Sequence, residues 1–312
     1  MKISIHTQPL VMQYGTKQTY KWIREAGFEA VDWALEQAWN SRVVLASNVY
    51  KDLSIFEKEP EEIMAHYAQE LSHIRANGLT ITQAHAPDPP FGGPNGYAHL
   101  EYAISIYRKM IPFCHEIGCK KLVIHAHSVP CNGTMSPEEC KRVNLYLYES
   151  LIPVLVKTDV TVCVENLWFP SYMNNSFDIY DGVLSDPWEA RELIDTLNQK
   201  AGKECFGICL DTGHLHLVRI FMEEYIPIVG NRIKALHIHD NMQNYDSHVL
   251  PYGGSIRWKD FIQQIKAIGY TGDLNFETTG QYGSFIPTEL IPMFLNVNAE
   301  IGKYFRRQIE SK

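Results

Sequence analysis

The sequence predicts a single (β/α)8 barrel, and three observations support this fold class. Short β-rich runs alternate with amphipathic helical stretches along all 312 residues. Eight such pairs can be recognised, which is the number that closes this kind of barrel. No Pro/Gly/Ser-rich linker or low-complexity tract divides the chain, so we predict one domain over residues 1–312. A doubly wound open sheet is the alternative topology.

The predicted strands are short and largely apolar, as expected of strands that are buried on both faces. In chain order they cover residues 3–6, 28–35, 79–85, 121–127, 160–166, 205–211, 232–240 and 273–278. Most of them lose their apolar character only in the last one or two residues.

The predicted helices carry apolar residues at helical spacing, and Gly27, Gly78 and Gly269 suit their carboxyl ends. Residues 136–139 and 186–189 read Ser-Pro-Glu-Glu and Asp-Pro-Trp-Glu, which are helix-opening signatures. The helix that opens at residue 136 is predicted to reach Val156. One helix is predicted within residues 214–230, a last one runs through Phe294 to Tyr304, and residues 167–185 are predicted to form a long aromatic loop.

The composition excludes several functional classes. No apolar run approaches the roughly 18 residues of a membrane helix, and the first residues lack the apolar region of a signal peptide. The 7 Cys are scattered without a CxxC pair, which is typical of reduced thiols in a cytoplasmic protein. A formal net charge of −8 disfavours nucleic acid and anionic membranes as partners. Since twofold dimers are common, we expect a homodimer.

The strand ends carry most of the chemically active side chains. Seven predicted strands end in residues of metal-ligand type: His6, His85, His125, Glu165, Asp211, His237 or His239, and Glu277. In a barrel these positions converge at the carboxyl face, where barrel enzymes assemble their active sites. Chance and helix capping account for one or two such residues but not for seven.

Carboxylates and imidazoles on neighbouring strands predict a divalent metal site, with Mn, Zn, Mg or Co as the ion. Glu165 and Glu277 would face Asp211 and His237 and give the metal four protein ligands. Such an ion polarises the carbonyl and hydroxyl oxygens of a sugar, while a carboxylate beside it removes or returns a proton at the neighbouring carbon. We therefore predict Glu165 and Glu277 as catalytic groups in sugar isomerisation or epimerisation.

The span from Cys209 to His248 contains further candidate ligands in its CLDTGH and LHIHDNMQNYDSH segments. With two earlier strand ends they make a set of six residues for additional metal or for substrate: His85, His125, His214, His239, Asp246 and His248. For any one of them, an ordinary hydrogen-bonding role is the simpler interpretation.

Four short motifs resemble the ligand motifs of the xylose-isomerase-like TIM barrel superfamily. They are VEN at Glu165, CLDTGH at Asp211 and His214, LHIHDN at His237, and LNFET at Glu277. The superfamily includes sugar isomerases, ketose 3-epimerases, inosose dehydratases and the endonuclease IV class of apurinic endonucleases. The resemblance implies that Glu165, Asp211, His237 and Glu277 bind the metal.

The resemblance leaves several activities open. A metal-dependent sugar or sugar-phosphate isomerase or epimerase leads, although the Glu-x-x-Asn-Arg-Phe-Glu pattern of ketose 3-epimerases is absent after Glu165. An endonuclease IV-like enzyme is the alternative, and the resemblance then implies a three-zinc site with these further ligands: His85, His125, His214, Asp246 and His248. An inosose-dehydratase-like lyase and a non-catalytic sugar-binding barrel are further alternatives.

The predicted loops at the barrel mouth favour a small sugar over DNA, which would require Lys and Arg there. Residues 36–59 contain three basic and four acidic residues, and residues 166–186 contain three Asp and no Lys or Arg. Trp168 and Arg257 are predicted to line the substrate pocket. The loop aromatics fit stacking on a sugar about as well as core packing or subunit contact: Trp39, Trp168, Phe169, Tyr172 and Phe177.

Overall fold

The computed structural model describes residues 1–35, 54–87, 96–127, 136–173, 176–283 and 285–311. The strands in these ranges are β1 (Ile3–His6), β2 (Ala30–Ala34), β3 (Thr80–His85), β4 (Lys121–Ile124), β5 (Thr161–Glu165), β6 (Trp168–Met173), β7 (Ser176–Asp181), β8 (Phe206–Asp211), β9 (Ile233–His237) and β10 (Leu274–Phe276). The helices are α1 (Gln8–Ala26), α2 (Pro60–Ala76), α3 (Gly96–Ile117), α4 (Pro137–Glu149), α5 (Ile152–Leu155), α6 (Pro187–Ala201), α7 (Thr212–Leu217), α8 (Met222–Val229), α9 (Trp258–Ala267) and α10 (Ile291–Glu310). Short 3-10 turns occur at Ile55–Glu57, Gly230–Arg232, Thr279–Tyr282 and Thr288–Leu290.

Eight strands form one parallel sheet in the order β10-β1-β2-β3-β4-β5-β8-β9. The two end strands approach each other through Ile238, whose N–H donates to the carbonyl of Asn275 over 2.9 Å. The N–H of Glu277 donates back to the carbonyl of Ile238 over 3.1 Å. The predicted (β/α)8 barrel is therefore confirmed, whereas the single-domain prediction for residues 1–312 stays a prediction.

A layer of small apolar side chains fills the barrel below its carboxyl face. Val123, Cys163, Cys209 and Ala235 form a buried cluster separate from the main core, one on each of four neighbouring strands. Side chains two residues apart on a strand point to the same face, so the residues two positions later also point into the barrel. Those residues are His125, Glu165, Asp211 and His237. The polar residues at the strand ends therefore meet above an apolar floor.

The region after β5 differs from the prediction. Residues 168–173 and 176–181 form an antiparallel hairpin of β6 and β7 instead of a loop. Its register pairs Trp168 with Asp181 and Met173 with Ser176. The two Asn between these segments were a turn signal, and the β-forming residues on either side of them favour strand pairing.

Two predicted helices are interrupted. The helix predicted to reach Val156 ends at Glu149 and resumes as α5, because Pro153 has no N–H to continue the ladder. The helix predicted within residues 214–230 is divided into α7 and α8, with Arg219 between them at a positive φ of 61°. Among the helices of the described residues, none is long and apolar enough to cross a membrane.

Candidate metal centre

Four strand ends bring together the residues that we call the core centre: Glu165, Asp211, His237 and Glu277. One ligand atom from each lies within 4.8 Å of the others. Their exposed fractions are 1, 0, 0 and 9%, respectively. The fold therefore brings three carboxylates and an imidazole together in a buried pocket at the carboxyl face of the barrel. Their role as metal ligands stays a prediction.

The contacts of His237 suit a shared cation. Its Nδ1 lies 2.9 Å from Oε2 of Glu165 and 3.2 Å from Oε2 of Glu277. Nδ1 is buried, and it nevertheless makes no hydrogen bond to any of the described residues. A buried imidazole nitrogen that faces two carboxylates without bonding to either fits an oxygen- and nitrogen-binding divalent ion such as Mn²⁺ or Zn²⁺.

Asp211 is held by its neighbours on both sides. The side-chain amide of Asn166 donates to the carbonyl of Asp211 over 3.0 Å, and the N–H of Asp211 donates back to Asn166 over 2.8 Å. Oδ1 of Asp211 also accepts the N–H of His214 over 2.6 Å and so caps α7. The strand end, the helix start and the candidate ligand are thus fixed by one residue.

The charge state of the core centre follows from its imidazoles. Burial alone would raise the pKa of Glu165, but the neighbouring His237 and His125 outweigh it and lower the pKa well below its usual value. Burial likewise opposes protonation of His237, while Cys209 and Glu277 raise its pKa well above the usual value. Glu165 is therefore ionised at neutral pH.

A second group of residues, the lateral cluster, lies beside the core centre: His214, His239, Asp246 and His248. Their ligand atoms also lie within 4.8 Å of one another. The Nε2 atoms of His214 and His248 lie 3.1 and 3.0 Å from Oδ2 of Asp246. Backbone carbonyls hold the opposite ring nitrogens, since Nδ1–H of His214 donates to Asn166 and that of His248 to Glu277, each over 2.9 Å. Both Nε2 atoms therefore face the same carboxylate.

His239 joins the two groups. Its Nε2 lies 2.9 Å from both carboxylate oxygens of Asp211, and its ring stacks on His248 with centroids 3.8 Å apart. Its Nδ1 lies 4.0 Å from Oδ1 of Asp246, and neither atom has a hydrogen-bond partner in the described part of the chain. Residue 213 has to be glycine, because a Cβ there would lie 2.0 Å from Cε1 of His239.

The lateral cluster is electrostatically coupled. Burial would lower the pKa of His248, but its hydrogen bond to Asp246 raises the pKa to about 9. Burial would raise the pKa of Asp246, yet His214 and His248 hold it far below the usual range. The arrangement of two imidazoles around one ionised carboxylate suits a cation or a hydroxyl-rich ligand equally well.

His85 and His125 lie on the other side of Glu165. Nδ1–H of His85 donates to the carbonyl of Ala86 over 2.7 Å, so its Nε2 faces Nε2 of His125 at 3.1 Å. Nε2 of His125 lies 3.1 Å from Oε2 of Glu165. All ten of the predicted metal, catalytic and additional residues therefore converge at one face of the barrel.

The two predicted pocket residues differ in position. The indole N–H of Trp168 donates to Oδ2 of Asp246 over 3.2 Å, which places this ring beside the lateral cluster. Arg257 instead pairs with Glu223 and with Asp260, and its side chain is 60% exposed. The structure does not bring Arg257 to the core centre. Of the other predicted aromatics, Trp39 and the side chains of Tyr172 and Phe177 lie outside the described residues.

The sequence analysis missed a residue that contacts a candidate metal ligand on the side facing away from the core centre. Asp32 on β2 is wholly buried, and its Oδ2 lies 3.1 Å from Nε2 of His237. The available signal was a carboxylate between Val31 and Trp33 in an otherwise apolar strand. Asp240 lies in the LHIHDNMQNYDSH segment, but its carboxylate accepts hydrogen bonds from the backbone N–H groups of Tyr252 and Ile256 and from the indole of Trp258.

Comparison with known proteins agrees with this architecture. A family described as the xylose isomerase-like TIM barrel matches residues 20–291. An uncharacterized protein of Sinorhizobium fredii, y4fM, is 24% identical over 277 residues, which cover 85% of this chain and 81% of that protein.

Two solved structures share the fold over nearly the whole chain. A putative xylose isomerase from Rhodospirillum rubrum superposes with a TM-score of 0.73 at 14% identity, covering 97% of this chain and 99% of that one. A D-psicose 3-epimerase crystallised with D-fructose superposes with a TM-score of 0.67 at 14% identity and covers 100% of both chains.

Proposed function

Because this chain belongs to the xylose isomerase-like TIM barrel family, we propose that it is a divalent-metal-dependent isomerase or epimerase of a sugar or sugar phosphate. The observation that carries the proposal is the convergence of Glu165, Asp211, His237 and Glu277 within 4.8 Å in a buried pocket. The likeness of the fold to a D-psicose 3-epimerase supports a sugar as the substrate class.

The proposed reaction is a proton transfer at a carbon next to a carbonyl group. A divalent ion held by the core centre would polarise that carbonyl and offset the negative charge that develops beside it. In this proposal Glu165, which is buried and ionised, would remove the proton. Glu277, whose Oε2 also faces Nδ1 of His237, would return a proton.

The number of carboxylates determines which products are accessible. Two carboxylates that act from different directions permit removal on one face of the substrate and return on the other, which is epimerisation. Return of the proton to the neighbouring carbon, together with transfer of the hydroxyl proton from one oxygen to the other, gives aldose–ketose isomerisation. The pocket thus supports both reactions, and the orientation of the sugar would select between them.

The lateral cluster and Trp168 supply the remaining substrate contacts in this proposal. Asp246 and the imidazoles of His214 and His248 are hydrogen-bonding groups suited to sugar hydroxyls. Trp168, fixed by its bond to Asp246, offers an indole face for stacking on an apolar sugar face. Binding there would exclude water from the core centre.

A multi-zinc hydrolase of the apurinic endonuclease type is the second candidate function. The arrangement of the lateral cluster and of His85, His125 and Glu165 favours it, because each group has enough ligands for an ion of its own. The acidic loop at 166–186 and the net charge of −8 oppose a DNA substrate. A lyase that shares the same proton-abstraction step remains compatible with the core centre.

Metal stoichiometry discriminates between the two candidates. The protein is purified without chelators, and bound metals are counted by inductively coupled plasma mass spectrometry. One tightly bound ion per chain is the result expected for the isomerase or epimerase. Two or three zinc ions per chain would favour the hydrolase, and absence of metal under all loading conditions would contradict both.

A further inference from the structure

Asp32 is a buried charge that the proposed reaction does not use. Its side chain has no exposed surface, and it lies on β2 below the core centre. Burying an ionised carboxylate costs several kcal/mol unless hydrogen bonds and opposite charges compensate for it. A residue retained at such a cost in the barrel interior calls for a functional explanation.

Donors surround one oxygen of this carboxylate. Oδ2 of Asp32 accepts the side-chain amides of Gln83 over 2.8 Å and of Asn275 over 2.9 Å. Ser4 donates its hydroxyl to Oδ1 of Asn275 over 2.9 Å, which fixes the amide with its NH₂ towards Asp32. Within the described residues the other oxygen, Oδ1, has no hydrogen-bond partner. Besides Nδ1 of His6 at 3.5 Å, Oδ2 has one remaining neighbour, and it lies closer.

That neighbour is the imidazole of His237. Nε2 of His237 lies 3.1 Å from Oδ2 of Asp32, while Nδ1 on the opposite side of the ring faces Glu165 and Glu277. Oδ2 of Asp32 already accepts two side-chain amide N–H groups and is therefore a hydrogen-bond acceptor. Nε2 of His237, 3.1 Å away, thus carries the proton and donates it.

The partner of His237 Nε2 differs in kind from the backbone partners of three neighbouring imidazoles. His85, His214 and His248 each donate Nδ1–H to a neutral backbone carbonyl. His237 donates to a carboxylate, which fixes the ring more strongly and makes the opposite nitrogen a stronger electron donor. Only this ring also belongs to the core centre.

We propose that Asp32 is a positioning residue that holds His237 with Nδ1 directed into the core centre and so sets the metal affinity of that centre. The proposal rests on the metal centre proposed above. In this proposal the hydrogen bonds of Gln83, Asn275 and Ser4 orient the carboxylate of Asp32, and these residues do not contact substrate.

Asp32→Asn is the informative variant, because an amide of the same shape removes the charge and can still accept a hydrogen bond. Mn²⁺ affinity of the metal-stripped protein is measured by titration calorimetry. We expect affinity to fall about 10- to 100-fold, as for other carboxylates behind a ligating histidine. Asp32→Leu, which also removes the acceptor, should reduce the affinity further.

Glu29→Gln is the control. Glu29 immediately precedes β2, at the end of the strand opposite to the core centre, and it accepts the N–H of Ile3 over 3.2 Å and pairs with Arg306 over 2.7 Å. This variant should leave Mn²⁺ affinity unchanged. The ¹⁵N signals of His237 in the zinc-loaded protein give an independent readout, with a protonated Nε2 expected in the wild type.

The outcomes separate the two proposals. Wild type that binds no Mn²⁺ would overturn the metal centre and the function based on it. Wild type that binds Mn²⁺ with an affinity shared by Asp32→Asn would overturn only the role of Asp32. A selective loss in Asp32→Asn, absent from Glu29→Gln, supports the positioning role.

Discussion

Glu165 is the residue on which most of the site's contacts meet. His125 and His237 lie 3.1 and 2.9 Å from its Oε2, and His214 lies 3.2 Å from its Oε1. Three imidazoles around one buried carboxylate keep it ionised and fix its direction. Its side chain can therefore serve as a ligand and as a proton acceptor in one position.

Replacing Glu165 with Gln should abolish turnover and weaken metal binding. The amide keeps the shape of the side chain but can neither accept a proton nor offset the charge of an ion. We expect a loss of at least about 100-fold in kcat, the lower end of general-base catalysis, measured once a sugar substrate is in hand. Glu204→Gln, at an exposed residue paired with Lys234, is the control and should keep full activity. Full activity in Glu165→Gln would remove Glu165 from the mechanism.

Seven of the ten predicted metal and additional site residues follow from the strand-end pattern, because parallel strands must bring their carboxyl ends together. His214, Asp246 and His248 were predicted from the dense CLDTGH and LHIHDNMQNYDSH segments instead. The role of Asp32 could not be predicted in this way. Its partner His237 is 205 positions away, and only the barrel's closure places the two side chains in contact. Arg257 was predicted from residue type alone, and its acidic neighbours Glu223 and Asp260 hold it elsewhere.

At the scale of elements, the loop after β9 is organised by Asp240. Its Oδ1 accepts the N–H groups of Asn241 and Ile256, and its Oδ2 accepts the N–H of Tyr252 and the indole of Trp258. The same loop carries Asp246 and His248. The shape of the lateral cluster therefore depends on a residue that is not one of its members.

Asp240→Asn should destabilise the protein by roughly 2 to 5 kcal/mol, because the amide NH₂ would meet two donors in a buried site. Denaturant unfolding of the metal-free protein measures this change. Asp260→Asn, at a half-buried side chain of the next helix, should change the free energy of unfolding by less than about 0.5 kcal/mol. Equal stability of the two variants would argue against Asp240 as the organiser of the loop.

Tyr282 connects α10 to the turn after β10. Its hydroxyl accepts hydrogen bonds from Asn298 over 3.1 Å and Thr278 over 3.4 Å, and its side chain is buried. Burial raises the pKa of Tyr282 to about 12, although these hydrogen bonds lower it. The folded state therefore favours the protonated phenol.

This predicts a specific alkaline dependence of stability. A group whose pKa is raised on folding contributes stability that is fully present below its unfolded pKa, about 10 for Tyr. That contribution is lost as the pH rises through about 12. Unfolding measured from pH 9 to 12 should show a shallower decline for Tyr282→Phe than for the wild type. Parallel declines would mean that Tyr282 does not titrate with folding.

The eight barrel strands were predictable in order and type, whereas the helix interruptions and the hairpin after β5 were not predicted. Pro153 signals the end of α4, since it cannot donate a backbone hydrogen bond. Arg219 gives no such signal, because a positive φ at arginine is imposed by tertiary packing. The hairpin of β6 and β7 was not predicted, although β-forming residues flank the two Asn between its strands.

At the scale of the whole molecule, the barrel concentrates negative charge in its interior. The core centre has three carboxylates, and Asp246 and Asp32 lie beside it. The protein as a whole has a formal net charge of −8. A divalent cation bound by these carboxylates in the folded state alone would stabilise that state, so metal binding and folding stability should be linked.

Metal loading should therefore raise the melting temperature in a concentration-dependent way. At a free Mn²⁺ concentration of 100 times the Kd, the gain is about 2.7 kcal/mol if only the folded state binds. Differential scanning calorimetry with stepwise Mn²⁺ measures the effect. Glu277→Gln should reduce the shift, whereas Glu204→Gln should not. No shift in the wild type at any Mn²⁺ concentration would contradict the linkage.

Incorporation of solvent deuterium into a sugar measures the proposed proton transfer at the carbon beside its carbonyl. The metal-loaded protein is incubated in D₂O with a panel of ketoses, aldoses and their phosphates, and each recovered sugar is analysed by NMR. We predict that at least one sugar acquires deuterium next to its carbonyl with the wild type and none with Glu165→Gln. Absence of incorporation across the panel, together with cleavage of apurinic DNA by the same preparation, would contradict the account in favour of the hydrolase.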